Sequence, residues 1–223
     1  MRYALFFTVA GIILIAAGLV ARGVFYIAIW PGCDFCIIGV AYLKGLHRVL
    51  GKCPDGTLPL WSLLLFFPHI VYTRLIWYIA RFFSREPACS VVMEQLVVGR
   101  RLLAGERKEE YDNYVDLTAE FSEPAVFRHS PAYRNFPILD GAAPVPAALR
   151  EAVDSLRPGR TFVHCAQGHG RAGLFALAVL LRSGIAPTVE DGLRILRTAR
   201  PSIHLNREQL KCIEVLAEDM IPS

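Results

Sequence analysis

The chain has 223 residues, enough for one ordinary domain or for a smaller domain joined to something that is not globular. Apolar residues make up 54% and charged residues only 20%, with a mean hydropathy of +0.39, which excludes disorder and argues against a wholly soluble chain. Residues 1–90 carry eight Lys/Arg against three Asp/Glu, whereas residues 91–223 carry sixteen against seventeen, so the basic excess flanks apolar runs and reads as anchors to anionic headgroups, not as a nucleic-acid surface.

Tyr3 to Ala21 holds nineteen residues without a charge, nearly enough at about 1.5 Å per residue to span a hydrocarbon core of roughly 30 Å. A transmembrane helix is expected there. A cleaved signal peptide fits less well, because the run exceeds a usual apolar core and no small-x-small site precedes polar sequence. Gly23 to Leu43 is a second apolar stretch, broken by Trp30-Pro31-Gly32 and carrying Asp34, and reads as one kinked helix or as the returning arm of a hairpin. Leu58 to Phe83 is a third, interrupted by Pro68, His69, Arg74 and Arg81, and it suits a helix lying partly in the interface as well as a full span. The densest basic loop is Lys44, His47, Arg48 and Lys52, which places 44–57 in the cytoplasm; the rest of the chain stays there if 58–83 does not cross, and is exported if it does. The expectation is a multi-pass membrane region over 1–88, with a cytoplasmic second domain over 89–223.

The six cysteines are scattered, without the framework of a disulfide-stapled module. Cys33 and Cys36 have CxxC spacing but no second Cys/His pair for a metal, and read as apolar filler. No cofactor and no metal are expected.

From about Ser90 the pattern is mixed α/β. Strands are expected at Leu96–Val98, Tyr114–Leu117, Phe136–Leu139 and Thr161–His164, and helices at Val145–Leu156, Ala172–Ser183, Thr188–Thr198 and Asn206–Glu218. Pro144 and Pro146 suit a helix start, Pro158-Gly159 and Gly184 helix ends, and Arg200-Pro201 a stop.

The chemistry lies at one strand-to-helix junction, where an apolar strand delivers His164 and Cys165, Ala166 to Gly170 form a glycine-containing loop, and Arg171 opens a helix. Such a loop turns successive backbone N–H groups inward, and the helix N-terminus adds about half a positive charge, so the cavity suits a tetrahedral dianion. The same field favours the thiolate of Cys165, the form that attacks phosphorus. Arg171 supplies a planar two-pronged donor for phosphoryl oxygens, and Gly168 and Gly170 let the backbone curl without blocking the cradle. Ala166, Gln167, Gly168, His169, Gly170 and Arg171 are therefore the expected phosphate-binding residues.

This stretch resembles the HCxxGxxR signature of the cysteine-dependent protein tyrosine phosphatase superfamily, in its dual-specificity branch. LVVGRRLLAGE from Leu96, YVDLTAEF from Tyr114 and RPSIHLNREQL from Arg200 resemble the opening strand, second strand and closing helix of such domains, and the preceding apolar segments resemble those of small bacterial membrane-linked relatives. The resemblance implies a mixed sheet flanked by helices and hydrolysis of phosphate monoesters through a phosphocysteine, with Cys165 as nucleophile. It places the general acid at Asp140, on the Gly/Pro-rich loop twenty-five residues before Cys165; the alternative is that Asp140 caps the turn before the next helix. It gives His164 a supporting role beneath the loop. His169 either faces the pocket entrance, where an imidazolium would favour multiply anionic headgroups, or faces solvent. The family usually has Ser or Thr after the arginine, to assist the departing thiolate, and here that residue is Ala172. A membrane anchor points to a phosphorylated lipid headgroup, such as a phosphatidylglycerophosphate or a phosphoinositide, with a phosphoprotein as the alternative and no nucleic-acid partner. Ala172 also leaves room for a phosphate-binding pseudophosphatase. A rhodanese-like sulfurtransferase is disfavoured by the spacing from Cys165 to Arg171.

Overall fold

A computed structural model of the chain describes residues 2–106 and 109–220, and these form two compact units. The first comprises residues up to Cys53, Thr57–Ser84 and Ala119–Ser122. It opens with helix α1 (Arg2–Ala21), a tight turn at Arg22-Gly23, a 3-10 turn (Gly23–Ala28) and helix α2 (Ile29–Lys44). The second apolar stretch is thus the returning arm of a hairpin. Glycines allow the two helices to approach: a Cβ on Gly11 would lie 2.6 Å from Gly32 O, and one on Gly39 would lie 2.9 Å from Thr8 N. Among the described residues, two helical segments, Arg2–Ala21 and Gly23–Lys44, are long and apolar enough to cross a bilayer.

The third apolar stretch breaks into helix α3 (Leu60–Leu65) and helix α4 (Phe67–Phe83), with Pro68 in the first turn of α4 where a missing N–H costs nothing. The stacked pair Trp30–Phe67 (5.9 Å), the Trp30 Nε1–Leu65 O hydrogen bond (3.1 Å) and the Phe35–Tyr72 pair (6.0 Å) show that α4 runs parallel to α2. Asp34, buried midway along Gly23–Lys44, accepts a hydrogen bond from His69 N at 2.7 Å and so satisfies an N–H at the start of α4. At about 1.5 Å per residue α4 is roughly 25 Å long, so it carries the chain back from the level of Trp30 to the level of Lys44. Residues 119–122 join this unit, with the Phe121 ring 5.6 Å from Trp77.

The second unit comprises Pro54–Gly56, Arg85–Thr118 and the chain from Glu123 onward. Its strands are β1 (Cys89–Met93), β2 (Leu96–Arg100), β3 (Asn113–Thr118), β4 (Tyr133–Ile138) and β5 (Thr161–Cys165), arranged β1-β2-β5-β3-β4, with β1 antiparallel to β2 and the rest parallel. Helices α5 (Ala125–Arg128), α6 (Pro146–Asp154), α7 (Gly170–Arg182), α8 (Val189–Ala199) and α9 (Arg207–Met220) accompany the sheet. Strand β5 is buried along its whole length, as expected for a central parallel strand with both faces covered. Tyr114 stacks on Phe127 at 4.8 Å on one side of the sheet, while Leu174, Phe175 and Leu177 of α7 are buried on the other.

The expected elements appear with shifted ends. Strand β4 starts three residues early, at Tyr133, because β3 pairs with it from Tyr114 onward. Helix α7 begins at Gly170, so Arg171 lies inside its first turn. Strand β1 was not expected: its alternation is weak, and it is a short edge strand paired only through β2.

Candidate active site

The carboxyl end of β5 lies between β2 and β3, with Gly99 and Asp116 opposite His164 and Arg100 opposite Cys165. In open parallel sheets ligands bind where a strand has its neighbours' connections diverging to both sides, and α7 starts at that point, its first-turn N–H groups free of intrahelical partners. Arg101 N donates to Cys165 O at 2.8 Å and to Ala166 O at 3.3 Å, fastening the loop to the strand beside it. Cys165 is buried, and Gly168 N donates to its Sγ at 3.2 Å. Gly168 needs φ +77°, and a Cβ there would lie 2.4–2.7 Å from the backbone of Gly99 and Arg100, so both conformation and space require glycine.

Arg171 is 1% exposed; its Nη1 donates to Ile138 O at 2.8 Å and its Nη2 lies 3.0 Å from Asp140 Oδ1. Asp140, with 65% of its side chain exposed, sits in a turn closed by Ala142 N to Leu139 O in which Gly141 takes φ +68°. It does not cap α6, whose N-cap is Val145 without a side-chain cap bond. Helix α9 holds this loop: Asn206 Nδ2 donates to Gly141 O at 2.6 Å, Gln209 Nε2 to Ala142 O at 3.2 Å, and Cys212 Sγ to Pro144 O at 3.2 Å. Burial pushes the Cys212 thiol up to about 11, so at neutral pH it is a hydrogen-bond donor and not a nucleophile. Gln209 also faces Gly170, where a Cβ would come within 3.1 Å of its amide.

Beneath the loop His164 is fully buried, its ring 5.0 Å from Tyr114 and stacked at 5.6 Å on Phe162, with Nε2 3.8 Å from Asp116 Oδ1 and 4.0 Å from Glu123 Oε1. Asp116, Glu123 and His164 are, among the described residues, a cluster whose ligating atoms lie within 4.8 Å of one another. All four carboxylate oxygens already accept from protein donors: those of Asp116 from Thr118 N, Thr118 Oγ1 and Tyr133 OH, and those of Glu123 from Tyr114 OH and Arg101 Nε. A cation would have to displace these bonds, so the cluster reads as a buried foundation for the loop. Burial, reinforced by the two carboxylates, raises the phenol pKa of both Tyr114 and Tyr133 and keeps them as donors.

His169 does not stand free at the entrance, since its Nε2 lies 2.7 Å from Glu86 Oε2. Arg200 Nη2 binds the same oxygen at 3.0 Å and donates to Gln167 O at 3.0 Å. Burial lowers the Arg200 pKa, with Glu86 and then Cys165 acting in the opposite direction, and an arginine so placed remains a cation. Sequence reading brought Cys165, Arg171, Asp140, His164 and the loop to one place, and the structure gathers them there; it missed Glu86, Arg101, Arg200, Asn206 and Gln209. The signal for Arg200 was the Arg-Pro pair itself, which was legible only as a helix stop.

No protein-family model matches the chain. Over 103 residues it is 39% identical to 067L of Invertebrate iridescent virus 3, named as a candidate tyrosine phosphatase; the match covers 40% of this chain and 43% of that protein, so the chain spans less than half of that relative. Among solved structures it resembles Tk-PTP in its active form (TM-score 0.53, 22% identity, 59% of this chain and 97% of that one). It also resembles PTPMT1 in complex with PI(5)P (0.53, 13%, 60% and 97%) and human DUSP28 (0.52, 18%, 60% and 95%). The second unit therefore has the fold of these tyrosine and dual-specificity phosphatase structures, and residues 164–171 read HCxxGxxR.

Proposed function

We propose that the chain is a membrane-anchored phosphatase that hydrolyses phosphate monoesters through a phosphocysteine. The observation that carries this reading is the convergence at one loop of a buried cysteine whose sulfur accepts from Gly168 N, a buried Arg171, and Asp140 3.0 Å from that arginine. The Cys165 thiolate attacks phosphorus while Arg171 and the loop N–H groups hold the equatorial oxygens. The bond to the leaving oxygen breaks as Asp140 gives that oxygen its proton. Water then attacks the phosphocysteine and passes a proton to Asp140, which releases phosphate and restores the thiolate. A bound phosphoryl group competes with Asp140 for Arg171 Nη2, which frees the carboxyl group to turn toward the leaving oxygen.

Support for the anchor comes from the apolar surface that α1, α2 and α4 leave exposed, including Leu5, Val20, Val40, Phe82 and Phe83, a band too apolar for water. Because α4 runs parallel to α2, the chain leaves the helical unit at the Lys44 end, which with the basic loop at 44–52 favours a cytoplasmic catalytic unit. An anchored pocket favours a phosphorylated lipid headgroup, and one fold relative was solved with PI(5)P. The 39% identity to a protein named for tyrosine phosphatase activity favours phosphotyrosine as the second reading.

The test is a screen of the purified full chain against lipid phosphates and phosphotyrosine peptides. We expect Cys165→Ser and Arg171→Ala each to abolish phosphate release, since one removes the nucleophile and the other the clamp on the transition state. Wild-type activity in either variant would refute the mechanism, and binding of phosphate without turnover would make the domain a pseudophosphatase.

A further inference from the structure

The peptide unit between Gln167 and Gly168 is engaged on both edges. Its carbonyl oxygen accepts from Arg200 Nη2 at 3.0 Å, and its N–H donates to Cys165 Sγ at 3.2 Å. A planar trans peptide carries C=O and N–H on opposite edges, so a guanidinium that captures the oxygen aims the hydrogen at the sulfur. Turned over, the same peptide would put its carbonyl oxygen against the thiolate and against any phosphoryl group in the loop. Gly168, at φ +77°, is the residue type for which such a turn meets least steric resistance, so an external lock has something to do.

Arg200 is itself fastened. It is 2% exposed, and its Nη1 donates to Pro87 O at 3.0 Å and Ser90 Oγ at 3.4 Å, while Nη2 also reaches Glu86 Oε2 at 3.0 Å. That oxygen lies 2.7 Å from His169 Nε2, and the other oxygen of Glu86 accepts from Ser202 Oγ. Gln167 and His169, either side of the glycine, are thus tied to one carboxylate–guanidinium pair. Glu86 follows the last residue of α4 by three positions, so this pair is built on the segment where the chain leaves the helical unit.

We propose that Glu86 and Arg200 are positioning residues that lock the Gln167–Gly168 peptide with its N–H toward Cys165, and thereby set how readily the thiol ionises and how tightly the loop grips a tetrahedral oxyanion. The proposal rests on the reading of Cys165 as the nucleophile of phosphate-ester hydrolysis. A guanidinium suits the task because it donates to Gln167 O and Glu86 in one plane, which a lysine would not do.

The experiment uses the full chain in detergent, with Arg200→Met, Arg200→Lys, Glu86→Gln and, as control, Arg194→Met on the outer face of α8. Alkylation of Cys165 by iodoacetamide is followed across pH by site-resolved mass spectrometry, together with protection by vanadate, kcat and KM. Arg200→Met should slow alkylation at acid pH by about ten- to a hundredfold, the effect of losing a hydrogen bond to a charged group, and should weaken vanadate protection with it. Arg200→Lys should recover part of the loss, and Arg194→Met should change nothing. Glu86→Gln gives the decisive sign: a broken lock moves the profile to higher pH, whereas removal of a mere negative charge would move it to lower pH. A wild-type profile, or a downward shift, in Glu86→Gln overturns the lock, and this variant decides the question if Arg200→Met fails to fold. Protein that shows the expected alkylation shifts but releases no phosphate sinks the phosphatase reading alone; phosphate release and alkylation untouched by both changes sink the lock alone.

Discussion

Asp140 has most of its carboxylate in solvent and one oxygen 3.0 Å from Arg171, a placement that lets it serve a leaving group only by turning away from the arginine. In the proposed reaction Asp140→Asn should lower turnover of an alkyl phosphate by about a hundredfold or more and that of an activated aryl phosphate far less, because only the poor leaving group needs a proton in the transition state. Comparable losses on both substrates would reduce Asp140 to a partner of Arg171. Ala172, fully buried in the first turn of α7, offers no hydroxyl to the departing thiolate. That absence should slow breakdown of the phosphocysteine by roughly ten- to a hundred-and-fifty-fold, the rate equivalent of about 1.5–3 kcal/mol. Rapid mixing with an aryl phosphate should therefore show a burst of phenol close to one equivalent, and Ala172→Ser should raise the steady rate while shrinking the burst. Linear release from the first turnover would mean that formation of the intermediate is limiting.

The element that makes the site is the turn from β5 into α7, and its geometry depends on backbone meeting backbone. Two glycines with the same kind of φ separate the contributions: Gly168 (φ +77°) touches Gly99, whereas Gly184 (φ +70°), just beyond α7, has nothing within 4 Å of where its Cβ would be. Gly184→Ala should cost about 1–2 kcal/mol for the left-handed conformation alone and leave activity intact. Gly168→Ala should cost about 1–3 kcal/mol more, because the strand below must move, and should lose activity with it. Denaturant unfolding and phosphate release of the two variants, side by side, check this; equal cost and equal activity would show that the loop tolerates displacement from β2. The same turn explains why Arg171 is held so firmly, since its guanidinium is fixed by Ile138 at the end of β4.

For the molecule as a whole, the direction of α4 is the informative feature. In the proposed topology a third span would leave the end of α4 on the side opposite Lys44, whereas an α4 parallel to α2 returns to the Lys44 end of the helical unit. In sealed vesicles, tags on the N-terminus and C-terminus of the full chain should therefore be digested or protected together, and the chain should resist carbonate extraction. Tags that behave oppositely would establish a third crossing, and an N-terminal tag lost during maturation would restore the cleaved signal peptide.

Much of this is legible in the residues alone. Long apolar runs read as helices, the run from Thr161 reads as a strand that delivers His164 and Cys165 to a loop, and cysteine, two glycines and arginine at that spacing can be arranged around a tetrahedral anion, because local propensity and hydrogen-bonding needs act over a few positions at a time. The parts that stayed hidden are those in which distant residues meet. Glu86 and Arg200, 114 positions apart, share an ion pair that neither local sequence announces. Asn206 and Gln209 steady a loop about 65 residues earlier through side-chain amides whose partners are backbone carbonyls, and a carbonyl has no signature in sequence. The third apolar stretch left its course open because hydropathy counts length and polarity but not direction; the contacts of Trp30 with Phe67 and of Asp34 with His69 set that course, since a helix start in an apolar setting must find an acceptor for its N–H groups.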